Sequence, residues 1–71
     1  MPLDPLRRIV IDAKVMLGKP VIRGTRVPVE LLVEKLAFGA SFDSIRKDYP
    51  FLTAEDIRAA VLYAARTGRT H

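Results

Sequence analysis

Basic side chains are the residues of this sequence whose type and spacing could do chemistry, and that chemistry is the binding of anions. The chain has 71 residues, with 12 Lys and Arg against 8 Asp and Glu, and a net charge of +4. The excess lies in residues 1–29, which hold six basic and two acidic residues, whereas residues 30–71 hold six of each. A concentrated positive charge attracts a polyanion, so the sequence predicts contact with a partner such as nucleic acid.

Residues suited to catalysis are scarce. The sequence has no cysteine, and its single histidine is His71. The acidic pairs Glu30/Glu34 and Glu55/Asp56 are better explained as an exposed helix face and a helix start than as a general acid and base. The sequence has no metal-ligand spacing. It therefore predicts a protein that is not an enzyme and that uses no metal and no cofactor.

Two short β-branched runs, at residues 8–12 and 21–23, predict an N-terminal arm of two strands. The apolar run at residues 9–11 suggests a strand that is covered on both faces, either by helices or by a second subunit. Two strands alone are weak and leave unpaired edges, so the arm could pack in the protomer's own core or in a sheet shared by two subunits. The candidate dimer interface comprises Ile9, Val10, Ile11, Val21 and Ile22.

Helix signals follow the arm. Pro28 suits the first position of a helix that Gly39 ends. Ser41 caps a second, short helix over residues 42–48. Tyr49 and Pro50 then end this helix in a turn, and a third helix follows. A short helix, a turn and a longer helix are the order of a helix-turn-helix motif.

The third helix begins at a capping box formed by Thr53 and Asp56. Helical spacing predicts that its buried face comprises Ile57, Ala60, Val61 and Ala64. We therefore predict a mainly α fold within one domain. An N-terminal β arm with Gly/Pro turns over residues 1–26 precedes a trihelical, helix-turn-helix-like (homeodomain-like) bundle over residues 27–67 and a disordered tail over residues 68–71.

A helix-turn-helix protein reads bases with the N-terminal part of its second motif helix, which here is the third helix of the chain. Arg58 is the only good guanine reader in that part, and the neighbouring Glu55 and Asp56 would repel phosphate. Contacts to the DNA backbone, which give affinity without sequence information, are predicted for Lys19, Arg23, Arg46 and Lys47. The alternative for each of these residues is an ordinary solvated, charged face.

Residues 18–26 combine glycine with basic residues and could cradle a phosphate with backbone N–H groups. They match neither G-x-x-x-x-G-K-[ST] nor G-x-G-x-x-G, so nucleotide binding has little support. The simpler interpretation is a β-turn-β arm in which local hydrogen bonds fix the entry of the first helix and Arg26 pairs with a carboxylate. This structural motif comprises Gly18, Pro20, Gly24, Thr25 and Arg26.

Two long stretches of the sequence resemble a known family. Residues 18–29 read GKPVIRGTRVPV, and residues 48–60 read DYPFLTAEDIRAA. They resemble the patterns G-K-P-x-I-x-G-T-R-I-x-V and D-Y-P-x-L-T-x-E-D-I-x-A-A of the domain-of-unknown-function family four-thirty-three, a family of small prokaryotic proteins. The resemblance covers roughly residues 8–65. Leu17 departs from it, since the family often has a second glycine there.

The resemblance implies a helix-turn-helix-like domain that dimerises and serves as the antitoxin of a type II toxin–antitoxin pair. The partner it implies is a PIN-like ribonuclease toxin encoded next to it. Some members are inferred to repress their own operon, which implies binding of operator DNA. The alternative is a protein-protein interaction module with no nucleic-acid binding, which the acidic start of the third helix favours.

Size and hydropathy predict the oligomeric state and the cellular location of the protein. A chain of 71 residues buries only about 60% of the surface that its unfolded form exposes, so we expect a homodimer. The apolar runs are shorter than the roughly 18 residues that span a membrane. Asp4 and Pro5 do not fit the start of a signal peptide, so a cytoplasmic protein without membrane contact is expected.

Overall fold

The computed structural model describes residues 4–67, so the predicted disordered tail over residues 68–71 lies outside the described residues. A 3₁₀ turn at Pro5–Arg8 leads into β1 (Ile9–Val10), and a second 3₁₀ turn at Met16–Gly18 leads to β2 (Val21–Ile22). The helices that follow are α1 (Val29–Ala37), α2 (Phe42–Asp48) and α3 (Ala54–Thr67). The prediction of a mainly α fold with an N-terminal two-strand arm is confirmed. No helix within residues 4–67 is long and apolar enough to cross a membrane.

The two strands form an antiparallel pair in which Ile9 lies opposite Ile22 and Val10 lies opposite Val21. β1 is shorter than the predicted strand over residues 8–12, because the 3₁₀ turn takes up Arg8 and the chain leaves the pairing after Val10. Val21 and Ile22 are each 1% exposed, so their side chains lie in the protomer's own core.

Ile11 shows where the strand prediction fails. Its side chain is 62% exposed, so within residues 4–67 no helix covers it, and of the two covers expected for the run at residues 9–11 only a second subunit remains open for this residue. Ile11 follows Val10, the last residue of β1, and so lies just beyond the pairing with β2. The side chain of Ile11 therefore lies at the surface of the protomer and is not part of its core.

Helix boundaries follow the local signals closely. Pro28 is the N-cap of α1, so the helix begins one residue later than predicted. Gly39 has a φ of +99°, the left-handed conformation that ends many helices. Ser41 and Ser44 exchange two hydrogen bonds of 3.1 Å, each from a backbone N–H to the other's hydroxyl, which fixes the start of α2.

The core lies between α1 and α3, with α2 and β2 closing its sides. Leu32 of α1 and Ile57 of α3 are both 0% exposed. Val61 is 42% exposed and Ala59 is 0% exposed, so the predicted buried face of α3 is wrong for Val61. α3 packs against the N-terminal 3₁₀ turn as well as against α1, and the buried face is turned accordingly. The buried cluster comprises Ile22, Val27, Val29, Leu32, Ile45, Leu52, Ile57 and Ala60.

The second 3₁₀ turn contains backbone strain that a substitution should relieve. Met16 and Leu17 have φ values of +51° and +58°, and Leu17 is 94% exposed. A side chain in the left-handed region costs roughly 1–2 kcal/mol, whereas glycine adopts it freely but loses more entropy on folding. We expect Leu17→Gly to raise the free energy of unfolding by about 0.5–1 kcal/mol, measured by thermal unfolding.

Leu17→Ala is the matched control, because it removes the same exposed apolar side chain but keeps a Cβ in the left-handed region. It should leave the unfolding temperature nearly unchanged. If the alanine variant gains as much as the glycine variant, the gain comes from loss of the exposed side chain and backbone strain is not its cause.

Candidate functional site

Four arginines line one open depression between the N-terminal 3₁₀ turn and the start of α3. Its volume is about 330 Å³, and its lining also includes two acids, Asp4 and Glu55, so the lining charges are predominantly positive. The arginines come from three separate parts of the chain: the 3₁₀ turn, the residue after β2, and α3. We call them the arginine surface: Arg7, Arg8, Arg23 and Arg58.

Asp56 ties the arm to α3. This carboxylate belongs to a residue that is 8% exposed, and it accepts a 2.9 Å hydrogen bond from Nη1 of Arg8. Its other oxygen accepts from the N–H of Thr53 at 3.0 Å, while the hydroxyl of Thr53 accepts from the N–H of Asp56 at 3.1 Å. The predicted capping box is present with both halves formed, and it also positions Arg8.

Arg23 is held by the backbone of the arm. Its Nε and Nη2 donate to the carbonyl of Arg7 at 2.9 and 2.7 Å, and its N–H donates to the carbonyl of Arg8 at 2.7 Å. A guanidinium has five N–H donors, so three remain for an anion. Because the group is fixed before a ligand arrives, less conformational entropy is lost on binding.

Arg58 projects from the second turn of α3. Its Cζ lies 5.9 Å from the centre of the Phe42 ring, within the range of a cation–π contact. Its Nη1 is 3.6 Å from the carboxylate of Glu55, but the side chain remains 64% exposed. An exposed pair of this kind contributes little to stability, so Arg58 stays available to a ligand.

The other predicted DNA contacts lie elsewhere. Nζ of Lys19 donates to Glu30, in the first turn of α1, at 2.6 Å. Arg46 and Lys47 lie in the last turn of α2 and do not line the arginine surface. The structure thus brings together Arg23 and Arg58 of the five predicted contacts.

Sequence reasoning missed Arg7 and Arg8 as contact residues. The available signal was the concentration of basic residues in the first 29 positions, which includes both. The 3₁₀ turn that carries them has no strong sequence pattern apart from Asp4, whose carboxylate accepts from the N–H of Leu6 at 2.9 Å.

The glycine-containing segment after β2 behaves as a structural connection. The hydroxyl of Thr25 donates to the carbonyl of Ile22 at 2.8 Å and accepts from the N–H of Val27 at 3.0 Å. Gly24 has a φ of +78°, and the carbonyl of Pro20 accepts from the N–H of Val29 at 2.9 Å. These bonds fix the entry into α1.

Gly18 and Arg26 are the two remaining residues of the predicted structural motif. The structure agrees with the predicted role of Gly18 but not with that of Arg26. Gly18 has a φ of +83°, as the turn before Pro20 requires. Arg26 is exposed, and within the described part of the chain it forms no ion pair, so the expected carboxylate partner is absent there.

Residues 9–64 match the sequence profile of the family described as protein of unknown function, DUF433. The chain belongs to the DUF433 family. A DUF433 member protein from Anabaena variabilis, of known crystal structure, superposes with a TM-score of 0.82 at 39% identity, over 87% of this chain and 61% of that chain. In the DUF433 profile, Arg23, Asp56 and Arg58 fall inside the matched residues, whereas Arg7 and Arg8 precede them.

Two relatives extend the DUF433 comparison. The uncharacterised protein y4eO of Sinorhizobium fredii is 44% identical over 63 residues, which are 87% of this chain and 28% of the relative. An uncharacterised protein of Archaeoglobus fulgidus is 64% identical over 25 residues, or 35% of this chain and 69% of the relative. This chain therefore spans less than a third of the length of the Sinorhizobium protein.

Proposed function

We propose that this DUF433 protein is an antitoxin-like component of a type II toxin–antitoxin pair, which binds operator DNA as a dimeric autorepressor and neutralises a PIN-like ribonuclease toxin. The observation that carries the DNA half is the convergence of four arginines at the start of α3. The toxin half rests on the resemblance of residues 18–29 and 48–60 to the family's sequence patterns, which implies an antitoxin.

The position of the arginine surface supports DNA as the ligand. α2 and α3 have the order and lengths of a helix-turn-helix motif, in which the N-terminal part of the second helix enters the major groove. The N-terminal 3₁₀ turn packs against α3, so its arginines lie beside that helix. A homeodomain places its N-terminal arm in a similar way and uses arginines there to contact the adjacent minor groove.

The chemistry of the arginine surface favours backbone contacts over base reading. Glu55 shares the surface with Arg58 and would repel a phosphate brought close to it. Only Arg58 has the side chain and the helix position to read a guanine. Most of the affinity should therefore come from phosphates, and it should depend steeply on salt concentration.

A gel-shift salt series with the DNA upstream of the gene tests this proposal. With about four to six phosphate contacts per dimer, the slope of log affinity against log salt should be about −4 to −5. Arg7→Ala should remove one phosphate contact per protomer and make the slope shallower by about 2 per dimer, whereas Arg58→Ala should relax sequence specificity. Absence of binding at low salt would contradict the DNA half.

Arg66→Ala, in the last turn of α3, is the matched control for charge. It removes the same guanidinium from an exposed position outside the arginine surface and should leave the slope unchanged. If it weakens binding as much as Arg7→Ala does, the affinity comes from net charge, and the arginine surface has no special part in it.

A protein-protein interaction module without nucleic-acid binding is the second candidate function. Glu55 reduces the positive charge at the start of α3, and two large apolar side chains, Leu17 and Phe38, are 94% and 85% exposed. Single exposed apolar side chains are common on protein surfaces, so Glu55 is the observation that favours this function. Co-expression with the protein of the adjacent gene separates the two functions, because a stable complex without operator binding favours the second.

A further inference from the structure

A second, larger groove lies beside β1. It has a volume of about 1210 Å³ and is lined by the end of β1, the loop that follows it, β2 and the turn after it, and residues just before and in the first turn of α3. Ile11 and Phe51 line it and are 62% and 60% exposed, so two large apolar side chains from distant parts of the sequence meet solvent in one place. We call it the β1 groove.

The charges of the β1 groove make it complementary to itself. Its lining holds two acids, Asp12 and Asp56, and two bases, Arg23 and Arg26. Asp56 is paired with Arg8, whereas Asp12 and Arg26 are exposed and form no ion pair within the described residues. A two-fold axis sets the same surface against its own copy, so an exposed acid and an exposed base, neither in an ion pair, around an apolar centre suit a second copy.

The backbone beside the groove also favours a further protein chain. Within residues 4–67, β1 has a strand neighbour on one side only, namely β2. An edge strand carries backbone groups that can pair with another strand. Val10 and Ile11 place this edge next to the groove.

We propose that the β1 groove is the docking surface for a second copy of this chain. Ile11 and Phe51 of each protomer are the apolar anchors, and Arg26 of one protomer faces Asp12 of its partner. This inference rests on the dimer of the proposed function and gives that dimer its interface. Arg23 lines both the β1 groove and the arginine surface, so the interface also fixes where the two arginine surfaces lie relative to each other.

Light scattering over a concentration series tests the interface. The wild-type chain should run at twice its 7.9 kDa mass. Ile11→Asp and Phe51→Asp should each raise the dimer dissociation constant by about a hundredfold or more, because a carboxylate would be buried among apolar anchors. Both residues are more than half exposed in the protomer, so circular dichroism should show an unchanged fold.

Phe38→Asp is the matched control, since Phe38 is 85% exposed and lies outside the groove. It should leave the dimer intact. The charge contribution is tested by Arg26→Asp, which should weaken the dimer about tenfold, against Arg46→Asp, which makes the same charge change elsewhere and should not. A wild-type monomer at every concentration, or a dimer that tolerates both Ile11→Asp and Phe51→Asp, would overturn the inference.

Gel shifts on the same variants separate this inference from the proposed function. Arg7→Ala should weaken DNA binding and keep the dimer, whereas Ile11→Asp should dissociate the dimer and leave the arginine surface unchanged. A wild-type dimer that binds no DNA supports the interface and contradicts the DNA half of the proposed function. A wild-type monomer that binds DNA contradicts the interface and supports the DNA half of the proposed function.

Discussion

Replacing Ile57 by alanine should lower the free energy of unfolding by about 3–4 kcal/mol, measured by urea denaturation. Ile57 is 0% exposed and belongs to the buried cluster between α1 and α3, so the substitution leaves a cavity that its neighbours cannot fill. A chain of 71 residues has a total stability of roughly 4–10 kcal/mol. The variant should therefore lose a large share of its stability and populate the unfolded state measurably at 37 °C.

Val61→Ala is the matched control on the same helix. Val61 is 42% exposed, so its truncation should cost less than about 1 kcal/mol. A cost equal to that of Ile57→Ala would mean that Val61 faces the core, as helical spacing alone predicts, and that the observed orientation of α3 is wrong.

Features decided by neighbouring residues could be predicted from the sequence. Ser41 and Thr53 start their helices through hydrogen bonds that span three residues. The left-handed conformation of Gly39 ends α1 for an equally local reason. Such local signals act in the same way however the helix packs in the fold. The order and bounds of the helices could therefore be predicted from the sequence.

Features decided by packing could not be predicted. Ala59 and Val61 differ by two positions on α3, and their burial depends on which element covers each side of the helix. The N-terminal 3₁₀ turn covers one side of α3, and the sequence of α3 does not indicate that contact. A hydrophobicity pattern therefore favoured the larger Val61 over the smaller Ala59, and this choice was wrong.

The candidate site was predictable only in part, because long-range contacts build it. Arg8 reaches Asp56 across 48 positions, and Arg23 reaches the carbonyl of Arg7 across 16. Charge counting located the basic region, but it could not tell Arg7 and Arg8, which join the arginine surface, from Lys19, which pairs with Glu30. The fold turns a diffuse excess of charge into a cluster at the start of α3.

Asp56→Ala should lower the free energy of unfolding by about 2–3 kcal/mol, because one carboxylate serves both the helix cap and the arm. Removing it leaves the N–H of Thr53 without its acceptor and releases Arg8 from α3. The ion pair contributes the smaller part, since the side chain of Arg8 is 46% exposed and solvent screens the charge. Urea denaturation measures the loss.

Two comparisons separate the cap from the ion pair. Arg8→Ala removes the ion pair alone and should cost about 1 kcal/mol or less. Asp56→Asn keeps an acceptor for the N–H of Thr53 but has no charge, so its cost should be close to that of Arg8→Ala. If Asp56→Asn is instead as damaging as Asp56→Ala, the charge of Asp56 holds the arm to α3, and the arginine surface depends on that charge for its shape.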